Sequence, residues 1–258
     1  MNTPTDLQRI ETALDTARSV LKDFTPGRIA STRKQGGDPV TEADVAVDEA
    51  LRSILLTGGE GWLSEETTDD LDRLEHSRVW IVDPIDGTRE FIEGIPEWCV
   101  SIGLAVDGRP VAGGIMNPAT EERIVGDLTA PPSYEGPREP ATATTVETAS
   151  ILASRSEIRR GEWDRFIDKG LDVVPMGSVA YKLALVAAGR ADATWTLVPK
   201  REWDVAAGVA LLASAGSYYR RKDSSPVVFN APETLLPGFI AARQEIADEV
   251  EQLLVPHT

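Results

Sequence analysis

The segment Val79-Trp80-Ile81-Val82 is apolar throughout and runs directly into Asp83-Pro84-Ile85-Asp86-Gly87-Thr88. A short apolar run closed by proline reads as a buried strand, and a strand buried on both faces belongs in a layered fold. This one also delivers acid to its own end. Asp83 stands at the strand terminus, and the turn imposed by Pro84 brings Asp86 back beside it. Two carboxylates held together repel unless a cation lies between them. Gly87 and Thr88 then open a short helix, whose free N–H groups can receive phosphate oxygens. Hard oxygen ligands beside an anion cradle fit Mg²⁺ acting on a phosphate. An isolated D-x-x-D-G-T has a plainer reading as a helix cap with an acid at the positive end of the helix dipole.

The rest of the chain supplies the layers. Leu7, Ile10, Leu14, Ala17 and Leu21 recur at helical spacing. A loop over Arg33 to Pro39 precedes a second amphipathic helix from Thr41 to Leu56, with Val45, Ala46, Ala50, Leu51 and Ile54 facing inward. Cys99–Val106 and Pro110–Met116 read as strands joined at Asp107-Gly108, a tight-turn dipeptide. Ile124 and Val125 suggest another strand. From Thr129 to Thr148 the chain turns to Pro, Thr, Glu and Ala, a long loop or a seam. Beyond it strands (150–153, 173–175, 193–196, 239–241) alternate with helices (160–169, 178–188, 205–215, 244–254). The pattern predicts an α/β protein with an α+β N-terminal half, divided as 1–140 and 141–258.

Composition narrows the chemistry. The 258 residues carry 42 acidic and 26 basic side chains, a formal charge of −16 that argues against a nucleic-acid polymer as partner. The excess suits a divalent-metal protein, and equally a merely soluble acidic surface. Only His76 and His257 are present, so a histidine triad or zinc site is not expected. Cys99 is the single cysteine, in an apolar strand, and reads as a buried structural thiol in a reducing compartment. No Gly-rich nucleotide fingerprint, P-loop or membrane-length apolar run occurs, and the start lacks the pattern of a secretory signal. A cytoplasmic protein with no membrane association is the expectation.

What remains is carboxylate chemistry, in four segments. Asp38-Pro39-Val40-Thr41-Glu42-Ala43-Asp44 comes first and Trp62-Leu63-Ser64-Glu65-Glu66-Thr67 second. The Asp83–Thr88 run is third and Glu202-Trp203-Asp204-Val205-Ala206-Ala207-Gly208 fourth. Singly, each is explained by solvated acids or helix caps at Thr41 and Asp204. Together and in this order they resemble the inositol monophosphatase superfamily of Mg²⁺-dependent, lithium-sensitive phosphatases, over about residues 5 to 254. The resemblance implies a layered αβαβα sandwich of the inositol monophosphatase and fructose-1,6-bisphosphatase type. It implies two to three Mg²⁺ ions held by Glu65, Asp83, the Ile85 carbonyl, Asp86 and Asp204, most of them in the first half of the chain. Asp44 and Thr88, with Glu65, would activate and orient the attacking water, and Asp86, Gly87 and Thr88 would contact the phosphate. The family's usual glycine before the paired acids is Ser64 here.

Two details lean towards the 3'(2'),5'-bisphosphate nucleotidases. Asp86-Gly87-Thr88-Arg89-Glu90-Phe91-Ile92 is similar to their D-G-T-K-E-F-I. Gly177-Ser178, followed by Lys182 and Gly189, is similar to a segment whose lysine lies near the nucleotide's second phosphate, although one extra residue separates Ser178 from Lys182. Ser178 and Lys182 are therefore expected substrate contacts, with a helix-surface charge as the other reading of Lys182. The implied reaction is hydrolysis of a small-molecule phosphate monoester, adenosine 3',5'-bisphosphate to AMP and phosphate, by a monomer or homodimer. Inositol-1-phosphate, fructose-1,6-bisphosphate and a catalytically silent metal-responsive role are the alternatives.

Overall fold

The computed structural model describes residues 4–33 and 39–254, so Asp38 and His257 lie outside the described residues. Helix α1 (Asp6–Leu21) is followed by short antiparallel strands β1 (Ser31–Arg33) and β2 (Pro39–Thr41), then by helix α2 (Glu42–Leu55). Next come β3 (Gly61–Ser64), β4 (Arg78–Asp86), helix α3 (Thr88–Glu93), β5 (Cys99–Val106), β6 (Arg109–Asn117), β7 (Glu122–Asp127) and β8 (Ser133–Glu135). These strands form one sheet in chain order, parallel only between β3 and β4.

The second half runs through β9 (Ser150–Ser154), α4 (Arg155–Arg159), α5 (Asp164–Ile167), β10 (Asp172–Met176), α6 (Val179–Ala187), β11 (Ala193–Trp195) and β12 (Lys200–Arg201). It ends with α7 (Glu202–Ala215), β13 (Tyr218–Arg221), β14 (Leu235–Leu236), β15 (Phe239–Ala242) and α8 (Ala247–Leu254). A second sheet takes the order β10-β9-β11-β15-β13, while β12 pairs with β14 apart from it.

Contacts arrange these elements as an αβαβα sandwich. Helices α1 and α2 pack on one face of the first sheet, and α6 and α7 lie between the two sheets. Helices α4, α5 and α8 pack beside the second sheet. Strand β4 shows why the layers are needed. Its Trp80 and Val82 join the apolar cluster under α1 and α2, whereas Val79 and Ile81 join the cluster around α6 and α7. A third cluster, with Trp163 stacked on Trp195 at 4.7 Å, fills the outer side of the second sheet. Among the described residues no helix is long and apolar enough to cross a membrane.

Helix α7 is seated by missing side chains. Gly103 on β5 and Gly113 on β6 are cross-strand partners. A Cβ at Gly113 would stand 2.5 Å from the Ala207 carbonyl oxygen, and one at Gly103 2.8 Å from the Ala207 nitrogen. The paired glycines thus open a slot in the sheet surface into which the helix backbone settles. On its other side, Gly208 of α7 admits Leu183 of α6, where a Cβ would lie 2.5 Å from the leucine Cβ.

Several expectations need correction. The buried stripe of α2 is Ala43, Val47, Leu51 and Leu55 with Asp44 and Asp48, while Val45 is 46% exposed. The helix is phased by its acids, which find partners inside the protein, and not by apolar content alone. Pro84 does not end the strand: β4 continues to Asp86 through a register shift between Asp83 and Asp86, and such a bulge tolerates a residue without an N–H. Of the helix expected over 160–169 only the short α5 forms; α4 stands before that range, and Gly161, whose φ of +77° is left-handed, separates the two. Arg33 and Pro39 lie in paired strands, not in a loop, and 129–148 contains the edge strand β8. Helix α7 begins at Glu202, and β13 went unanticipated because its sequence, Tyr218-Tyr219-Arg220-Arg221, lacks an apolar run.

The slot for α7 makes a direct prediction. Gly113→Ala should destabilise the protein by about 1–3 kcal/mol through overpacking, read as a lower denaturation midpoint at unchanged m-value. A stability equal to wild type would show that the helix does not rest on the sheet backbone at this point.

Candidate active site

The end of β4 collects acids from elements far apart in sequence. Carboxylate oxygens of Glu65, after β3, Asp83, in β4, and Asp204, in the first turn of α7, all lie within 4.8 Å of one another. Asp83 is buried; its Oδ1 accepts the Ile85 N–H at 3.1 Å, and its Oδ2 is buried without a hydrogen-bond partner. The Asp204 carboxylate accepts the Arg201 N–H at 2.9 Å, which fixes it at the start of the helix. The site is placed by backbone. Glu65 extends the parallel pairing of β3 with β4 by donating its N–H to the Val82 carbonyl at 3.3 Å.

Asp86 stands beside this group and is pinned by the second half of the chain. Its Oδ2 accepts the Ser178 hydroxyl at 2.7 Å and the Ala180 N–H at 2.6 Å. Ser178 is the N-cap of α6 and adopts a φ of +54°, unusual for a side chain other than glycine. The turn before it is held by Glu97, which accepts the Gly177 N–H at 2.8 Å and the Arg155 Nε at 2.7 Å.

The proposed water-orienting pair is also together. Thr88 Oγ1 lies 3.1 Å from Asp44 Oδ1 and 3.0 Å from the Ile85 carbonyl oxygen. Asp44 is steadied from behind, because its Oδ2 accepts both the N–H and the hydroxyl of Thr41, at 2.8 and 2.6 Å. Gly87 turns the chain out of β4 at a φ of +101°. A Cβ there would crowd the Glu97 carbonyl oxygen at 3.0 Å.

Over these residues lies a cleft of about 300 Å³, lined by Glu65, Asp86, Thr88, Ser178 and Asp204 and by the cations Arg89, Arg155, Arg159, Lys182 and Lys200. Arg155, Arg159 and Lys200 belong to none of the four acidic segments or the Gly177–Gly189 segment. Arg155 and Arg159 directly follow strand β9, and ligands of α/β sheets gather outside the carboxyl ends of strands. Lys182 sits differently from its neighbours. It is buried, and its Nζ donates to the carbonyls of Met176, Gly177 and Ser178 at 3.2, 3.3 and 2.8 Å.

A sequence model of the inositol monophosphatase family matches residues 3–254. The chain belongs to the inositol monophosphatase family. Among relatives, the inositol-1-monophosphatase of Mesorhizobium japonicum is 31% identical over 228 residues, covering 83% of this chain and 84% of that protein. The 3'-phosphoadenosine 5'-phosphate phosphatase of Mycobacterium leprae is 33% identical over 221 residues, 78% of each chain. The fold of the extragenic suppressor protein suhB of Bartonella henselae superposes with a TM-score of 0.79 at 25% identity, covering 97% of this chain and 98% of that one. For CysQ of Bacteroides thetaiotaomicron the TM-score is 0.75 at 26% identity, over 93% and 97%. Inositol monophosphatase family members are phosphatases, and the sandwich described above is their fold.

The family's acids fit a hard divalent cation on the observations of this site. Burial, then the charges of Glu65, Asp86 and Asp204, push the Asp83 carboxyl well above its usual range. Asp86 is also raised, by burial first, against the opposing hydrogen bonds from Ser178 and Ala180. Asp204 is pushed up to about 7 by burial and by the charges of Asp86 and Glu65, with Lys200 opposing. Orphaned, mutually repelling carboxylate oxygens at this spacing are satisfied by Mg²⁺, which takes oxygen ligands.

The sign of the pH effect follows. A carboxyl raised from 3.8 to about 7 holds a proton in the folded state that the unfolded chain has released. Between those values the native state binds more protons, so stability falls as pH rises. In EDTA, moving from about pH 5 to about pH 7.5 should therefore lower the melting temperature of the wild type more than that of Asp204→Asn. Mg²⁺ requires deprotonated ligands, so its stabilising effect should grow across the same window. Parallel pH profiles for the two proteins in EDTA would contradict the assignment.

Proposed function

We propose that the protein is a Mg²⁺-dependent hydrolase of small phosphate monoesters. The convergence of Glu65, Asp83 and Asp204 around the orphaned Asp83 Oδ2, next to the Thr88–Asp44 pair, carries this reading. Glu65, Asp83, Asp86, Asp204 and the Ile85 carbonyl would hold two to three ions. A bound divalent cation supplies charge neutralisation and a water acidic enough to attack at neutral pH. The Thr88 hydroxyl, within reach of Asp44 Oδ1, accepts a proton from the attacking water as it passes its own to that carboxylate. Thr41 keeps Asp44 from turning away. The backbone N–H groups of Gly87 and Thr88, at the start of α3, would receive phosphate oxygens. Attack is direct, since no nucleophilic side chain is needed.

The cations that line the cleft support a substrate with a second anionic group, as in adenosine 3',5'-bisphosphate. Arg155 is already neutralised by Glu97, whereas the side chains of Arg159 and Lys200 form no ion pair or hydrogen bond among the described residues. Lys182 also lines the cleft, but its Nζ is engaged by three carbonyls of the Ser178 turn, so Arg159 and Lys200 would meet the second phosphate. An inositol monophosphatase is the second reading, favoured by the relative from Mesorhizobium japonicum.

Phosphate release from adenosine 3',5'-bisphosphate, inositol-1-phosphate and fructose-1,6-bisphosphate distinguishes these readings. The first should show the highest kcat/KM, and Li⁺ should inhibit. Arg159→Gln with Lys200→Gln should raise KM for the bisphosphate about tenfold or more, as expected for lost charge-assisted contacts, and leave inositol-1-phosphate little changed. Equal losses on both would remove the second-phosphate assignment. Asp204→Asn should cut turnover on the order of a hundredfold while sparing the fold, because the amide oxygen of Asn can still accept the Arg201 N–H from the third position of α7. Retention of activity at every Mg²⁺ concentration would exclude Asp204 as a ligand. Mg²⁺ at a hundredfold excess over its dissociation constant should add about 2.7 kcal/mol of stability per ion. Melting curves that coincide in Mg²⁺ and in NaCl of matched ionic strength would sink the metal reading.

A further inference from the structure

Helix α2 presents two buried carboxylates one turn apart, and only the first belongs to the machinery described so far. Asp44 faces Thr88. Asp48, 6% exposed, faces the end of β3 instead. Its Oδ1 accepts the hydroxyl of Ser64 in a short hydrogen bond, and its Oδ2 accepts the hydroxyl of Thr67 at 2.7 Å. Ser64 Oγ in turn accepts the N–H of Glu66 at 3.2 Å, and Thr67 Oγ1 accepts the indole N–H of Trp62 at 3.3 Å. The turn Ser64-Glu65-Glu66-Thr67 is therefore fastened at both ends to one carboxylate, with Glu65 between the two fastenings.

We propose that Asp48 is a positioning residue for Glu65, acting through the hydroxyls of Ser64 and Thr67, and that Ser64 is the means by which this chain tunes its metal affinity. The inference rests on the metal reading of the Glu65, Asp83 and Asp204 group. It gives the Ser64 hydroxyl a task, since it both donates to Asp48 and accepts the Glu66 N–H. It also explains why α2 buries an acid that touches neither Thr88 nor the cleft. Glu65 already has its backbone held against β4 by the bond to the Val82 carbonyl. The Asp48 clamp removes the remaining freedom, the swing of the turn away from α2. Because Asp44 lies on the same rigid helix, the clamp also fixes the distance between the water-orienting carboxylate and the Glu65 ligand. Partners that hold metal ligands in place change affinity by about 10–100-fold when removed.

The test is a melting-temperature titration with MgCl₂ against NaCl of matched ionic strength, which needs no substrate. Ser64→Ala should raise by about tenfold the Mg²⁺ midpoint, meaning the Mg²⁺ concentration that produces one chosen intermediate rise in melting temperature. The double variant Ser64→Ala with Asp48→Asn should do the same, and it keeps the test alive if the single variant, with a buried charge short of a donor, does not fold. Tyr134→Phe, which removes a 2.8 Å bond to Glu122 at the other edge of the sheet, is the control. It should lower the melting curve and leave the Mg²⁺ midpoint where it was. A shifted midpoint in the Ser64 variants alone supports the proposal. Unchanged midpoints, with the wild type responding to Mg²⁺, overturn the positioning role and leave the metal reading standing. A wild type that does not respond to Mg²⁺ overturns both.

Discussion

Three carboxylates within 4.8 Å of one another, one of them with an oxygen that no donor reaches, are an unfavourable arrangement for a protein to fold into. Lys200 and the Arg201 N–H relieve it only in part, at Asp204, and much of the fold maintains it. Strand β4 carries Asp83 into the interior, and its bulge then turns Asp86 into the same neighbourhood. Ser178 and Ala180 pin Asp86, Arg201 pins Asp204 and the β3–β4 pairing fixes Glu65. The surrounding layers pack well enough to hold these groups together despite their repulsion. The site is thus strained electrostatically before any ion arrives, which is the condition under which an ion binds tightly.

Two glycines decide whether the arrangement closes. Asp204 reaches the other acids only because α7 rests directly on the backbone of β5 and β6, in the slot left by Gly103 and Gly113. A helix raised by even a methyl group would draw its first turn, and the carboxylate on it, away from Asp83. Packing in the centre of the sandwich and geometry at its rim are the same problem here.

The sequence carried the large features because they depend on local signals. The apolar run at Val79–Val82, the Asp107-Gly108 turn and the helical stripe of α1 each announce themselves in a few residues. The acids of the site were legible through their motifs, and the structure brings Glu65, Asp83 and Asp204 together. What escaped was tertiary. The phase of α2 depends on partners for Asp44 and Asp48 that lie far along the chain, so apolar content alone pointed Val45 inward. Arg159 and Lys200 look like ordinary surface cations until the fold lines one cleft with them and the acids. Lys182 carries a charge, yet its environment is the carbonyls of the turn before it, a fact no spacing rule contains.

The middle layer of the sandwich bears on how the chain is made. Synthesis delivers the six-stranded sheet, residues 61 to 135, well before α6 and α7, which lie against its inner face. Until about residue 215 leaves the ribosome, Val79, Ile81 and Ile115 have no helix to cover them. The sheet can therefore cover its inner face only when α6 and α7 dock. Docking of α7 also sets Asp204 beside Glu65 and Asp83, so the step that covers the sheet is the step that assembles the acidic group.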